Sequence, residues 1–235
     1  MIIDSGKDIS EVLIGLADAE YKNFQSALIP GVPKEKIIGV RLPILKKLAK
    51  EMIKNGTADA FISRLPHDYY DEDNLHAFII AEIRDFEKLM LELERFIPYI
   101  DNWATCDSLR PKAIKSNAHK AIEYCHKWIN SDEEFVTRFG IEMLMVYFSD
   151  EFFDSDDAVR IAEIKNEKYY VKMMIAWYFA TLLSKRWDNV IEIFESRVLD
   201  KFVHNKAIQK SVESLRLSAE QKTYLKELKK QDLKY

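Results

Sequence analysis

Four side chains in this 235-residue sequence have the chemistry to act together: Trp103, Asp107, Arg138 and Trp177. Trp103 and Asp107 stand four residues apart in YIDNWATCDSLRPK, a spacing that on a helix puts both on one face with Cβ atoms about 5–6 Å apart. Arg138 lies 31 residues beyond Asp107, and Trp177 lies 39 beyond Arg138, intervals close to one unit of a two-helix repeat. Two indoles, one carboxylate and one guanidinium suit a positively charged, sugar-like transition state. Ring faces attract the cation, the carboxylate stabilises it more strongly, and the guanidinium grips a phosphate through two parallel hydrogen bonds. The first pair also has an architectural reading. Asp107 or Ser108 is suited to cap a helix running on through LRPKAIKSNAHKAIEYCHKWI, with Pro111 in its early turns.

The elements that must position these residues are helices. Apolar residues recur at helical spacing through ISEVLIGLADAEYKNFQSAL, at Val12, Leu16, Ala19, Phe24 and Leu28, before IPGVP stops the pattern. IIGVRLPILKKLAKEMIKNG predicts a second helix, with Pro43 in its first turn and Gly56 just past its end. Further helices are expected at roughly 72–84, 86–98, 108–128, 132–148, 156–165, 168–184, 187–198, 201–217 and 219–230. Connections are short and no Gly/Ser- or Pro-rich linker intervenes, so one domain is expected over 1–235. An offset of 34 superposes RFGIEMLM from Arg138 on KMMIAWYF from Lys172, and then on KAIQKSVE from Lys206. Such a period is the mark of a helical solenoid, in which stacked pairs line equivalent side chains in a row. Arg138, Lys172 and Lys206 would form a basic ladder, with Lys210 one turn further on. Phosphate contacts are expected from these and from Arg41 in GVRLP, a segment that reads equally as a plain turn.

Composition narrows the function classes. With 48% apolar and 31% charged residues but only 6 Gly and 6 Pro, the chain suits long helices better than an all-β fold. Net charge is −4, yet it is unevenly spread: residues 1–164 carry 20 basic against 30 acidic side chains, and residues 165–235 carry 15 against 9. Residues 34–54 hold 7 basic and 2 acidic side chains; a Debye length of about 8 Å lets such patches act independently of distant acidic surface. No basic leader with a long apolar core opens the sequence, and no apolar run approaches the ~18 residues of a membrane span, so a cytoplasmic location without membrane contact is expected. Cys106 and Cys125 lack metal or redox spacing. His119, Cys125 and His126 supply three of the four ligands structural zinc requires, so no metal is expected. Nucleotide loops and the serine-hydrolase elbow are absent from the sequence.

Taken in order, GVRLP, IDNWATCD, EFVTRFGIEMLM, YYVKMMIAWYFATLL and NKAIQKSVES resemble the successive signatures of the AlkD-like DNA alkylation repair family, bacterial DNA glycosylases built from HEAT-like repeats. The resemblance covers roughly residues 9–217. It implies an all-α fold: a right-handed α-solenoid of HEAT-like antiparallel helix pairs with a concave groove, acting as a monomer on double-stranded DNA containing alkylated bases. The implied activity is excision of cationic N3- or N7-alkylpurines without a cofactor, in the cytoplasm at the nucleoid. By resemblance, Asp107 is the catalytic carboxylate, and Trp103, Trp177 and Arg138 contact the substrate. The acidic net charge departs from the basic groove the family implies, which keeps open an alternative, a noncatalytic helical-repeat module for DNA structures or proteins.

Overall fold

The structure is a computed structural model and describes residues 8–229. Among these residues there are fifteen α-helices, two short 3₁₀ turns and no strand. No helix among them is long and apolar enough to cross a membrane. The chain divides into two compact units, Met1–Ser116 and Asn117–Tyr235.

In the first unit α1 (Ile9–Gly15) and α2 (Ala19–Leu28) precede α3 (Leu42–Asn55), α4 (Ala58–Ile62), α5 (Tyr70–Ile80), α6 (Phe86–Phe96), α7 (Trp103–Ser108) and α8 (Ala113–Ser116). The helix expected across 9–28 is two helices, because the Asp18 carboxylate accepts the Tyr21 amide at 2.9 Å and caps a new start. Pro43 does lie in the first turn of α3, and Gly56 ends it in the left-handed conformation at φ 78°, where glycine meets no Cβ penalty. The helix expected at 108–128 is instead the end of α7, then α8, then a helix beginning at Ala118. α3, α5 and α7 pack in series, with α4 against α3 and α5, and α6 against α5 and α8. Leu45, Leu48, Leu75, Leu89 and Phe96 are fully buried in this unit.

The second unit holds α9 (Ala118–Ile129), α10 (Glu134–Tyr147), α11 (Ser155–Glu163), α12 (Tyr169–Lys185), α13 (Trp187–Glu195), α14 (Lys201–Glu213) and α15 (Ala219–Leu228). α9, α10, α12 and α14 pack one on the next, while α11 and α13 touch each other and α12, and α15 packs on α14. α12 is therefore enclosed, which explains its apolar residues all round, including buried Met174, Ile175, Phe179 and Leu182. The offset of 34 in the sequence superposes α10, α12 and α14, three consecutive members of this series.

Candidate functional site

α7 is only six residues long, and Asn102 starts it. The Asn102 side chain accepts the Thr105 amide at 2.9 Å and donates to the Asp101 carboxylate at 2.9 Å. Asp107 therefore stands in the last turn of α7, and the residue that caps the start of that helix is Asn102. Thr105 and Cys106 are fully buried. At 100° per residue Thr105 points directly away from the bisector of Trp103 and Asp107, so burying it presents that pair on the opposite face. Both are half-buried. Pro111 follows closely and cannot continue the helix, and the Arg110 Nε caps the Asp107 carbonyl at 2.9 Å.

Trp103 is held from the side by the segment between α2 and α3. Its Nε1 donates to the Leu28 carbonyl at 3.3 Å, and its ring packs on Ile29, Val32, Ile37 and Tyr70. That segment is itself gathered onto Asp71 of α5, which is 1% exposed. The Asp71 carboxylate accepts the amides of Ile38 at 2.7 Å, Gly39 at 3.2 Å and Val40 at 2.7 Å. Burial pushes the Asp71 carboxyl up, and the three amide donors oppose that shift. Gly39 is required here: its φ is +95°, and a Cβ would lie 2.6 Å from the Lys22 Cβ. Thus the Gly39 and Val40 amides of GVRLP are committed to an internal carboxylate. Arg41, half exposed, pairs with Asp18 at 2.8 Å and lies 5.3 Å from the centre of the Tyr21 ring. The Tyr21 amide, and after it Arg41, hold the Asp18 carboxyl below the usual range.

The second unit carries the remaining candidates. Arg138 is 4% exposed, and its Nη1 donates to the Tyr170 carbonyl at 2.9 Å. The Tyr170 amide in turn donates to Glu134 at 3.0 Å, so α10 holds both backbone groups of that residue in the first turn of α12. Lys172 repeats the pattern one helix later. It pairs with Glu167 at 2.6 Å and with Asp200 at 3.7 Å, and Asp200 is the N-cap of α14. The hydrogen bond to Glu167 raises the Lys172 ammonium above its usual range. Arg138 and Lys172 thus each join their helix to the start of the next in the series. Lys206 donates within its own helix to Gln209 at 3.1 Å.

Trp177 is 36% exposed on a helix otherwise largely enclosed. The Lys210 ammonium sits 4.5 Å from the centre of its ring, within range of a cation–π contact. Burial, then the Lys206 charge, push the Lys210 ammonium down, with Arg138 adding to the shift and Glu213 opposing it. Both line an open cleft of about 420 Å³ that also includes Thr181, Ser184 and Arg216. Sequence reasoning named Trp177 and Lys210 but not their stacking, nor the aromatic row Phe135, Tyr169 and Phe202. Tyr169 lies 6.0 Å from Phe202, and Tyr170 lies 5.5 Å from Phe135. The same offset of about 34 relates Phe135, Tyr169 and Phe202, so the repeat itself was the available signal.

The molecule is thus an all-α protein whose helices pack in series, with Trp103 and Asp107 four residues apart on one short helix of the first unit and a lysine over an indole in the second. A family model described as DNA alkylation repair enzyme matches residues 9–192, and the chain belongs to that family. Its role is accordingly in DNA repair, with DNA as its partner. No curated protein and no solved structure matches the chain at a significant level.

Proposed function

We propose that the protein is a DNA glycosylase that excises cationic N3- or N7-alkylpurines from duplex DNA, with Asp107 as its catalytic carboxylate. The observation that carries this reading is the placement of Asp107 within α7, on the face shared with Trp103, while Asn102 performs the capping. Serial helix packing within each unit supports reading the elements as HEAT-like helix pairs of a right-handed solenoid. On this reading the protein works as a monomer and needs no metal or cofactor.

An alkylpurine of this class already carries a positive charge. When its N-glycosidic bond breaks, the bonding pair goes to the purine nitrogen and neutralises the base, so no acid is needed to protonate the leaving group. Positive charge appears instead on the deoxyribose as an oxocarbenium ion. An ionised Asp107 stabilises that charge, orients the water that bonds to C1′, and accepts its proton. The Trp103 face contacts the sugar as it becomes cationic. The second unit holds the backbone: Lys206 and Lys210 neutralise phosphates and Trp177 packs against the strand. Arg138 and Lys172 brace the helices that present them and add positive potential.

Asp107→Asn tests this role. Single-turnover release of 7-methylguanine is expected to fall about 10²-fold or more, on the order of 3 kcal/mol, with affinity for undamaged duplex unchanged. Unaltered release by that variant removes Asp107 from the mechanism.

A further inference from the structure

The turn between α14 and α15 carries a leucine that no intramolecular contact explains. Leu215 is 97% exposed. Single exposed apolar residues are ordinary on protein surfaces, so exposure alone decides nothing; what distinguishes Leu215 is how firmly it is held there and what surrounds it. The Ser214 amide donates to the Ser211 carbonyl at 3.1 Å, and the Arg216 amide donates to the Ser214 hydroxyl at 3.2 Å. Leu217, the second residue beyond Leu215, is buried at 6% exposure. Ser218 then caps α15 reciprocally with Gln221, through bonds of 3.0 and 3.2 Å. The turn is pinned on both sides, and the leucine between the pins points outward with little ordering left to lose on contact with a partner.

Its surroundings indicate the partner. Ser214 and Arg216 line the same cleft as Trp177 and Lys210, so the leucine stands at the rim of the lysine–indole stack. Among the described residues no ion pair or side-chain hydrogen bond engages the Arg216 guanidinium, and the chain from residue 165 onward carries 15 basic against 9 acidic side chains. One carboxylate, Glu213, also lines the cleft, and it accepts a hydrogen bond from Gln209 at 3.0 Å. Lys210 and Arg216 outweigh it. An apolar tip flanked by cations matches the way proteins enter the minor groove of a duplex, with an aliphatic wedge against the sugars and bases and basic side chains on the bordering phosphates. The minor groove is about 6 Å wide, which suits a single side chain, whereas the wider major groove admits a whole helix.

We propose that the Ser214–Leu217 turn is a groove probe: Leu215 enters the minor groove of bound duplex DNA and Arg216 takes a flanking phosphate. This rests on the reading of the second unit as a duplex-binding surface, and it is independent of whether Asp107 cleaves anything.

The test measures affinity for a fluorescent, A·T-rich duplex over a range of salt, using the full chain, Leu215→Ala and Arg216→Ala. Base release from methylated duplex is followed in parallel. Leu215→Ala is expected to bind about tenfold more weakly, the effect of losing roughly one leucine's worth of apolar burial, with an unchanged slope of log affinity against log salt. Arg216→Ala is expected to reduce that slope by about 0.9, one phosphate contact. Distamycin, which fills A·T minor grooves, is expected to weaken the wild type more than Leu215→Ala. Wild-type affinity in Leu215→Ala, or indifference of the wild type to distamycin, overturns the groove probe even where base release is intact. Leu215-dependent duplex binding without base release upholds the probe and sinks the glycosylase reading instead. Failure of the wild type to bind duplex overturns both, and Leu215-dependent self-association without an effect on DNA overturns the probe.

Discussion

The two units use buried charge differently. In the first, ionisable groups face inward and organise loops. Asp71 gathers three successive amides, and Glu72 accepts the Ser10 hydroxyl at 2.6 Å together with the amides of Asp68 and Tyr69. His67 and His76 meet at 2.8 Å, with His76 stacked on Phe96 and His67 on Phe61. Burial drives the His76 imidazole down to about 3, so it stays neutral. In the second unit the buried cation Arg138 and the paired Lys172 lie at junctions between consecutive helices. The difference follows from the local architecture. Short helices joined by long irregular segments leave many backbone groups to be satisfied by side chains, whereas a regular series of longer helices needs ties only where one helix meets the next.

The largest expected effect breaks the first unit's scheme. Asp71→Ala leaves three buried amides without their acceptor and should cost about 3–5 kcal/mol in denaturant unfolding. Asp71→Asn, which retains one carbonyl acceptor, should fall between the two. A wild-type unfolding midpoint for Asp71→Ala would mean that the segment before α3 is held by something else.

A smaller loss is expected at the helix junction. Arg138→Met keeps the side-chain volume but removes the donor to the Tyr170 carbonyl, and should cost about 2 kcal/mol. The second unit should lose protection from hydrogen exchange first in the opening turn of α12. Protection lost instead along the whole length of α10 would contradict the junction role.

The smallest effect is one of pH. Asp73 lines a cavity of about 130 Å³ with Lys36, His67 and Asp101, and burial, then the Asp101 and Glu72 charges, push its carboxyl up to about 8. A carboxyl raised in the folded protein contributes stability that is fully present below about pH 4 and is lost as pH climbs toward 8. Asp73→Asn should therefore match the wild type near pH 4 and exceed it at pH 8, by about 1 kcal/mol after screening at a partly exposed site. Parallel stability–pH curves for the two proteins would show that Asp73 is not protonated on folding.

Much of this arrangement is legible in the sequence, for identifiable reasons. Pro43 and Gly56 bound α3 because each acts through its own backbone geometry. α10, α12 and α14 emerge at an offset of 34 because equivalent helices bury equivalent faces. The break between α1 and α2 is hidden, since the apolar spacing continues across it while Asp18 caps a fresh start. α7 is hidden for a related reason: Asn102, Asp107 and Ser108 are all capping residue types, and only the hydrogen bond from the Thr105 amide marks Asn102 as the start of α7. The role of Asp71 has no sequence signature, because its partners are backbone amides 31–33 residues away. Nor does the offset of 34 distinguish a ladder that contacts phosphate from one that joins helices.

The most direct measurement is the amount of free 7-methylguanine released over time from methylated duplex DNA by the wild-type protein, beside Asp107→Asn at equal folded concentration. Steady release by the wild type and release at least about a hundredfold slower by the variant is the predicted result. No release above the spontaneous rate by the wild type, with duplex binding intact, would contradict it and leave a DNA-binding protein without glycosylase chemistry.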